Sequence, residues 1–179
     1  MKATHFPRRL VVLFAIIFLL PSVKSFAGTD VKYYPGIACH GYSHYESTYL
    51  IYNFDGRIEN DNADTRMDVI CPAINDHGDT TTSATYIYVL DLNNNTGVSC
   101  DAYGCNIYCT MVNHSTTSLT FEYSDEQHTT GSNSSVQYLS FDALSSGAGY
   151  MRFMYCRIPY KDEGNLSAIV EYQITENVP

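Results

Sequence analysis

The chain has no tryptophan, and its 10 lysines and arginines are outnumbered by 19 acids. The missing indole removes the largest ring available for stacking on a sugar, a mild count against glycan recognition that tyrosine can offset. The shortage of positive charge excludes nucleic acid and anionic lipid as partners, because both are polyanions. Apolar runs are scarce too. The longest, Leu10–Leu20, has eleven residues, short of the ~20 that cross a bilayer, so membrane insertion is not expected. Catalytic and nucleotide motifs are missing: there is no G-x-G-x-x-G, no P-loop and no G-x-S-x-G elbow. No cysteine stands beside a histidine in a nucleophile pattern, and no segment shows convincing helical periodicity.

What is present begins with a secretory start. Lys2, Arg8 and Arg9 precede the apolar run, Pro21 ends it, and Ser25-Phe26-Ala27 offers small residues where a signal peptidase reads. Residues 1–27 are therefore expected to be a cleaved signal peptide. The residues around Arg8-Arg9 do not extend a twin-arginine motif, and the first cysteine is Cys39, so neither that route nor a lipid anchor is indicated. Residues 28–179 are expected to form one secreted domain, extracellular or periplasmic. Lys2, Arg8, Arg9 and Lys24 leave with the signal, so six basic residues face nineteen acids, a charge of −13.

All six cysteines, Cys39, Cys71, Cys100, Cys105, Cys109 and Cys156, lie in the secreted part. An even number in an exported chain reads as three disulfides. Zinc is disfavoured, since Cys105-x-x-x-Cys109 lacks the usual spacing and a second close pair. On a strand, Cys105 and Cys109 would sit roughly 13 Å apart, beyond disulfide reach, and so should pair elsewhere. Cys100 and Cys105 flank a four-residue turn sequence and could close on each other.

Period-two alternation recurs along the chain and predicts strands at 48–54, 66–71, 84–92, 105–112, 119–123, 135–141, 149–158 and 166–174. Leu166, Ala168, Val170, Tyr172 and Ile174 share one face, with Ile169 the exception. Residues 84–92 and 149–158 are apolar on both faces, as central strands are. Polar turn clusters separate the segments. The expected fold is all-β, a single antiparallel β-sandwich or jelly-roll-like domain with disulfides.

The spaced signature Pro35-Gly36-x-Ala38-Cys39, Val69-x-Cys71-Pro72, Val89-x-Asp91, Val98-x-Cys100, Ser135-Val136-Gln137 and Tyr155-Cys156-Arg157-Ile158-Pro159, closing on Tyr172-x-Ile174, resembles a group of small secreted bacterial proteins of unknown function. The resemblance spans most of the secreted part. It implies a β-rich fold and no particular activity. The pair Cys105/Cys109 lies outside the shared pattern.

Candidate sites are few. His40-x-x-x-His44-x-Glu46 has metal-ligand residue types, but on an extended strand the two imidazoles stand about 13 Å apart, too far for one ion unless the chain turns at Gly41. Asp91-x-Asn93-x-Asn95 resembles the start of a calcium loop without its later ligands, and Asp61 and Asp64 form a second acidic loop. Calcium is the one cofactor these residues could take, and no other is indicated. Four N-x-S/T sequons, at Asn94, Asn113, Asn133 and Asn165, are close to what chance gives this composition.

The most distinctive feature is sixteen tyrosines. Tyrosine suits half-buried sheet packing, and equally a recognition surface. Tyr42, Tyr45, Tyr49 and Tyr52 are the densest group and the candidate interaction patch. The reading is a non-enzymatic exported β-sandwich that acts as an extracellular or envelope interaction or structural protein, meeting a glycan or a protein surface. A carbohydrate-binding module is the alternative, and a secreted hydrolase the third. A concave face lined with tyrosines and acids would favour sugar. A long flat strand edge would favour assembly.

Overall fold

Two antiparallel sheets packed face to face form the chain in a computed structural model, which describes residues 28–74, 82–93, 105–144 and 150–178. The first sheet holds β1 (Gly28–Pro35), β3 (Leu50–Tyr52), β4 (Ile58–Asn60), β6 (Thr82–Leu90), β10 (Gln137–Phe141) and β12 (Ala168–Val178). Its order is β10-β6-β12-β4-β3. The free side of β12 is shared between β4, at Ala168 and Ile169, and β1, from Glu171 to Val178.

The second sheet holds β2 (His40–Gly41), β5 (Met67–Ala73), β7 (Tyr108–Ser115), β8 (Phe121–Tyr123), β9 (Gln127–His128) and β11 (Tyr150–Ile158). Its order is β2-β5-β11-β7-β8, with β9 also on β7. From β4 to β7, and again from β10 to β12, successive strands change sheet. That alternation is the jelly-roll-like habit expected of the sequence.

Period-two patterning places the core. In β5, Met67, Val69, Cys71 and Ala73 turn inward while Asp68, Ile70 and Pro72 face out. Ile87 and Val89, Met154 and Ile158, and Tyr172 and Ile174 do the same on β6, β11 and β12. Each fully buried aliphatic side chain stabilises by about 1.5–3 kcal/mol. Two disulfides lie in this layer, Cys39–Cys71 and Cys109–Cys156. Cys105 is disulfide-bonded as well, and Cys100 lies outside the described residues. Disulfides in the core fit a protein that folds outside the reducing cytoplasm. Among the described residues no helix is long and apolar enough to cross a membrane.

The exception Ile169 has a structural cause. The pairing of β12 with β6 shifts register between Ile169 and Glu171. This bulge changes the phase of the strand, so Ile169 is buried before it and Tyr172 and Ile174 after it.

Three expectations are corrected. A helix does form, α1 (His44–Tyr49), and its last two residues take the start of the strand expected over 48–54, which begins instead at Leu50. Its signal is the capping box Ser43-x-x-Glu46: the Tyr45 N–H donates to Ser43 Oγ, and the Ser43 N–H donates to Glu46 Oε2 at 3.0 Å. Cys105 precedes its strand, which starts at Tyr108 rather than 105. Leu119 sits in a turn with φ 56°, and the strand after it runs only from Phe121 to Tyr123.

Candidate functional site

No third layer covers the outward side of the second sheet among the described residues, and this side is aromatic. Because β11 lies between β5 and β7, its outward residues meet neighbours on both sides. Phe153 stands between Pro72 and Val112, Tyr155 between Ile70 and Thr110, and Arg157 between Asp68 and Tyr108. On the next strand Tyr123 lies beside Val112 and Phe121 beside His114. The His114 and Phe121 rings stack with centroids 4.5 Å apart. Two hollows of about 440 and 420 Å³ open side by side on this face, and both are lined by Tyr123, Tyr155 and Arg157. Together they form one open groove.

The floor of the groove is held by polar contacts. The Tyr155 hydroxyl donates to Asp68 Oδ2 at 2.5 Å. Arg157 Nε donates to the Tyr155 hydroxyl at 3.2 Å and lies 3.3 Å from Asp68 Oδ1. The guanidinium carbon stands 5.5 Å from the Tyr155 ring centre and 5.9 Å from that of Tyr108, within cation–π range. Burial, and then the bond to Asp68, push the Tyr155 hydroxyl above the usual tyrosine range. Asp125 and Glu126 stand exposed at one end of the groove, with Thr110 and Ser124 between them and the rings.

The candidate tyrosines divide. Tyr42 is 63% exposed, lines the groove and meets the Tyr155 ring edge-on at 6.0 Å. Its N–H donates to the Asp68 carbonyl at 2.9 Å, which ties it to β5. Tyr45 and Tyr49 are also exposed, but they pair with each other along α1, centroids 5.2 Å apart. Tyr52 is exposed on β3, in the other sheet. Only Tyr42 belongs to the groove.

The metal candidates Asp61, Asp91, Asn93 and Glu46 are engaged in contacts of their own. Asp91 is fully buried: Oδ1 accepts from the Asn93 N–H and the Ser167 hydroxyl, and Oδ2 accepts from the Ile107 N–H and the Thr129 hydroxyl. Asn93 is buried and donates to the Tyr160 carbonyl at 3.1 Å. These two residues fasten loops rather than opening toward an ion. Asp61 pairs with Lys161 at 2.7 Å, and the Asp64 N–H donates to Asn62 Oδ1. Asn95 lies outside the described residues. His40 and His44 are exposed on β2 and α1, and Glu46 is taken by the helix cap. Among the described residues no group of three His, Cys, Asp or Glu is placed to hold a metal.

The groove residues Tyr108, Phe121, Tyr123, Phe153, Tyr155 and Arg157 were not among the candidate site residues, although Tyr155 and Arg157 stand in the spaced signature. The signal was the second apolar face of 149–158. It marks a central strand, as expected, since β11 lies between β5 and β7, and the outward row of that strand forms the groove floor.

No family model and no curated protein matches the chain. Among solved structures, one similar to it is a family two carbohydrate esterase from Cellvibrio japonicus, with a TM-score of 0.43 and 8% identity over 86% of this chain and 36% of that one. The chain thus spans about a third of that esterase's length. Another is a low-affinity xylan-binding module from the gut symbiont Roseburia intestinalis, with a TM-score of 0.46 and 13% identity over 81% of this chain and 94% of that one.

Proposed function

We propose that the protein is a secreted, non-enzymatic binding module whose groove on the second sheet takes a neutral glycan chain. The observation that carries this reading is the set of rings Tyr42, Tyr123 and Tyr155 in one open groove, with Tyr155 fixed by Asp68 and Arg157. Tyrosine rings give an apolar face for the C–H side of a pyranose and a hydroxyl for its polar edge, at low conformational cost. Asp68, Arg157, Thr110 and Ser124 supply the donors and acceptors that sugar hydroxyls require. A net charge of −13 in the secreted part disfavours polyanionic glycans. The groove is open at the surface, which suits a chain passing through rather than a small molecule enclosed for reaction.

A second reading has its own observation. Met151 and Ile74, at the far end of the same face, are 60% and 56% exposed, and paired apolar exposure of this kind favours a protein surface. A glycan array run with the processed, secreted protein separates the two. Binding to neutral polysaccharides, lost in Tyr123→Ala, supports the module. An empty array together with binding to envelope protein supports the second reading and overturns the first.

A further inference from the structure

The outward side of the first sheet repeats the tyrosine theme in a different form. Two rows run straight across four strands, from β1 through β12 and β6 to β10. In one, Tyr33 pairs with Gln173, Gln173 with Tyr86, and Tyr86 with Ser140. In the other, Pro35 pairs with Glu171, Glu171 with Tyr88, and Tyr88 with Tyr138. Tyr33 and Tyr138 are 63% and 67% exposed, and Tyr86 and Tyr138 meet edge to face at 6.5 Å. The alternate positions Ile87, Val89, Leu139, Tyr172 and Ile174 all point into the core, so the tyrosines of both rows face solvent.

The pattern is informative about its occupant. Protein interfaces also favour tyrosine, but the centre of one is depleted of charge, and this platform carries Glu171 on an inner strand. Here each cross-strand row sets tyrosines among an amide, a hydroxyl or a carboxylate. Neither row contains lysine or arginine, and Glu171 is the only charged side chain in the two, so polyanions find no counter-charge. Neighbouring strands are spaced about 4.8 Å apart, close to the rise of one residue in an extended sugar chain. From β1 to β10 the platform is therefore about 14 Å across, room for roughly three residues.

We infer that this platform is a second glycan-binding site. The inference rests on the glycan reading of the groove and adds to it that the module is bivalent. The two sites lie on the outer sides of two packed sheets and face away from each other. One molecule can then hold two polysaccharide chains, and linked sites raise avidity beyond either one alone.

The test uses the processed protein, a panel of neutral β-linked hexasaccharides of glucose, xylose, mannose and galactose, and suspended particles of the matching insoluble polysaccharides. Calorimetry of the wild type should give two sites per chain, and the protein should aggregate the particles. Tyr33→Ala/Tyr138→Ala should keep one site, weaken the other by roughly tenfold or more, and stop aggregation. Tyr42→Ala/Tyr123→Ala should also leave one site, the platform. Gln173→Ala, which leaves every ring in place, guards against loss of the site through misfolding and should weaken the platform as well. A single site in the wild type, or complete loss of binding in the groove variant, overturns the second site and leaves the groove standing. Failure of the wild type to bind any member overturns both.

Discussion

The Tyr155 hydroxyl and the Asp68 carboxylate, on adjacent strands, share a 2.5 Å hydrogen bond whose donor is the phenol. Arg157 closes the triangle, its Nε donating to the same hydroxyl and lying 3.3 Å from Asp68 Oδ1. The contact orients a ring at the centre of the groove, so its loss should be felt in binding before stability. Tyr155→Phe keeps the ring and frees it to turn. Binding to a neutral oligosaccharide is expected to weaken several-fold. The loss of stability should stay within about 1.5–3 kcal/mol, the range of a hydrogen bond to a charged group, although the hydroxyl makes two such bonds, because the groove is open to water. Parallel calorimetry and thermal melts check both. Unchanged binding with a large loss of stability would make Tyr155 a packing residue only.

Tyr155 and Tyr172 both hold their protons above the ordinary tyrosine value of 10.0, chiefly through burial. Tyr172 also donates to the Pro72 carbonyl of the opposite sheet at 2.8 Å. Below pH 10 the folded and unfolded chains are both protonated at these sites, and their contribution to stability is complete. Above it the unfolded chain ionises first, which draws the equilibrium toward unfolding. Denaturation curves should superimpose from neutral pH to about 10 and lose stability beyond. Tyr172→Phe should flatten that alkaline fall. An identical fall in the variant would assign the effect to other groups.

Gly36 sits against the bulge of β12. A Cβ placed there would lie 2.1 Å from the Ile169 carbonyl oxygen, and a backbone atom cannot swing aside as a side chain can. Gly36→Ala should cost about 1–3 kcal/mol, the usual range of overpacking, and fall toward its upper end. Urea denaturation measures it.

Asp91 accepts hydrogen bonds from four donors in four separate stretches, after β6, before β7, after β9 and before β12. Asp91→Ala strands the Ser167 and Thr129 hydroxyls and should lose about 3 kcal/mol or more. With its carboxylate so engaged, the transition temperature of the wild type should be the same in millimolar calcium and in chelator. A rise with calcium would restore the acidic loops as a binding site.

Much of the sandwich was legible because its long strands carry either period-two alternation, as in β5, or apolar residues on both faces, as in β6 and β11, and β5, β6, β7, β10, β11 and β12 all fall within predicted segments or a few residues from them. The first strand was missed because its pattern is inverted. Val31 and Tyr33 face out, while Lys32 turns in to reach the buried Glu176 carboxylate at 2.6 Å. Strands of two or three residues, such as β2, β4 and β9, exist through their neighbours and leave no periodic trace. The groove was half visible. Tyr42 stood out by local density, but Tyr155 and Tyr123 come together only when β11, β7 and β8 pair, and sequence density does not report cross-strand register.

The central claim, that the groove takes a neutral glycan, is tested most directly by amide-resolved NMR during titration with a neutral β-linked oligosaccharide. The account predicts saturable shifts at Thr110, Tyr123, Tyr155 and Arg157, on β7, β8 and β11, abolished in Tyr155→Ala while the rest of the spectrum is retained. Amides of β7, β8 and β11 that stay still across the whole panel of neutral oligosaccharides would contradict it.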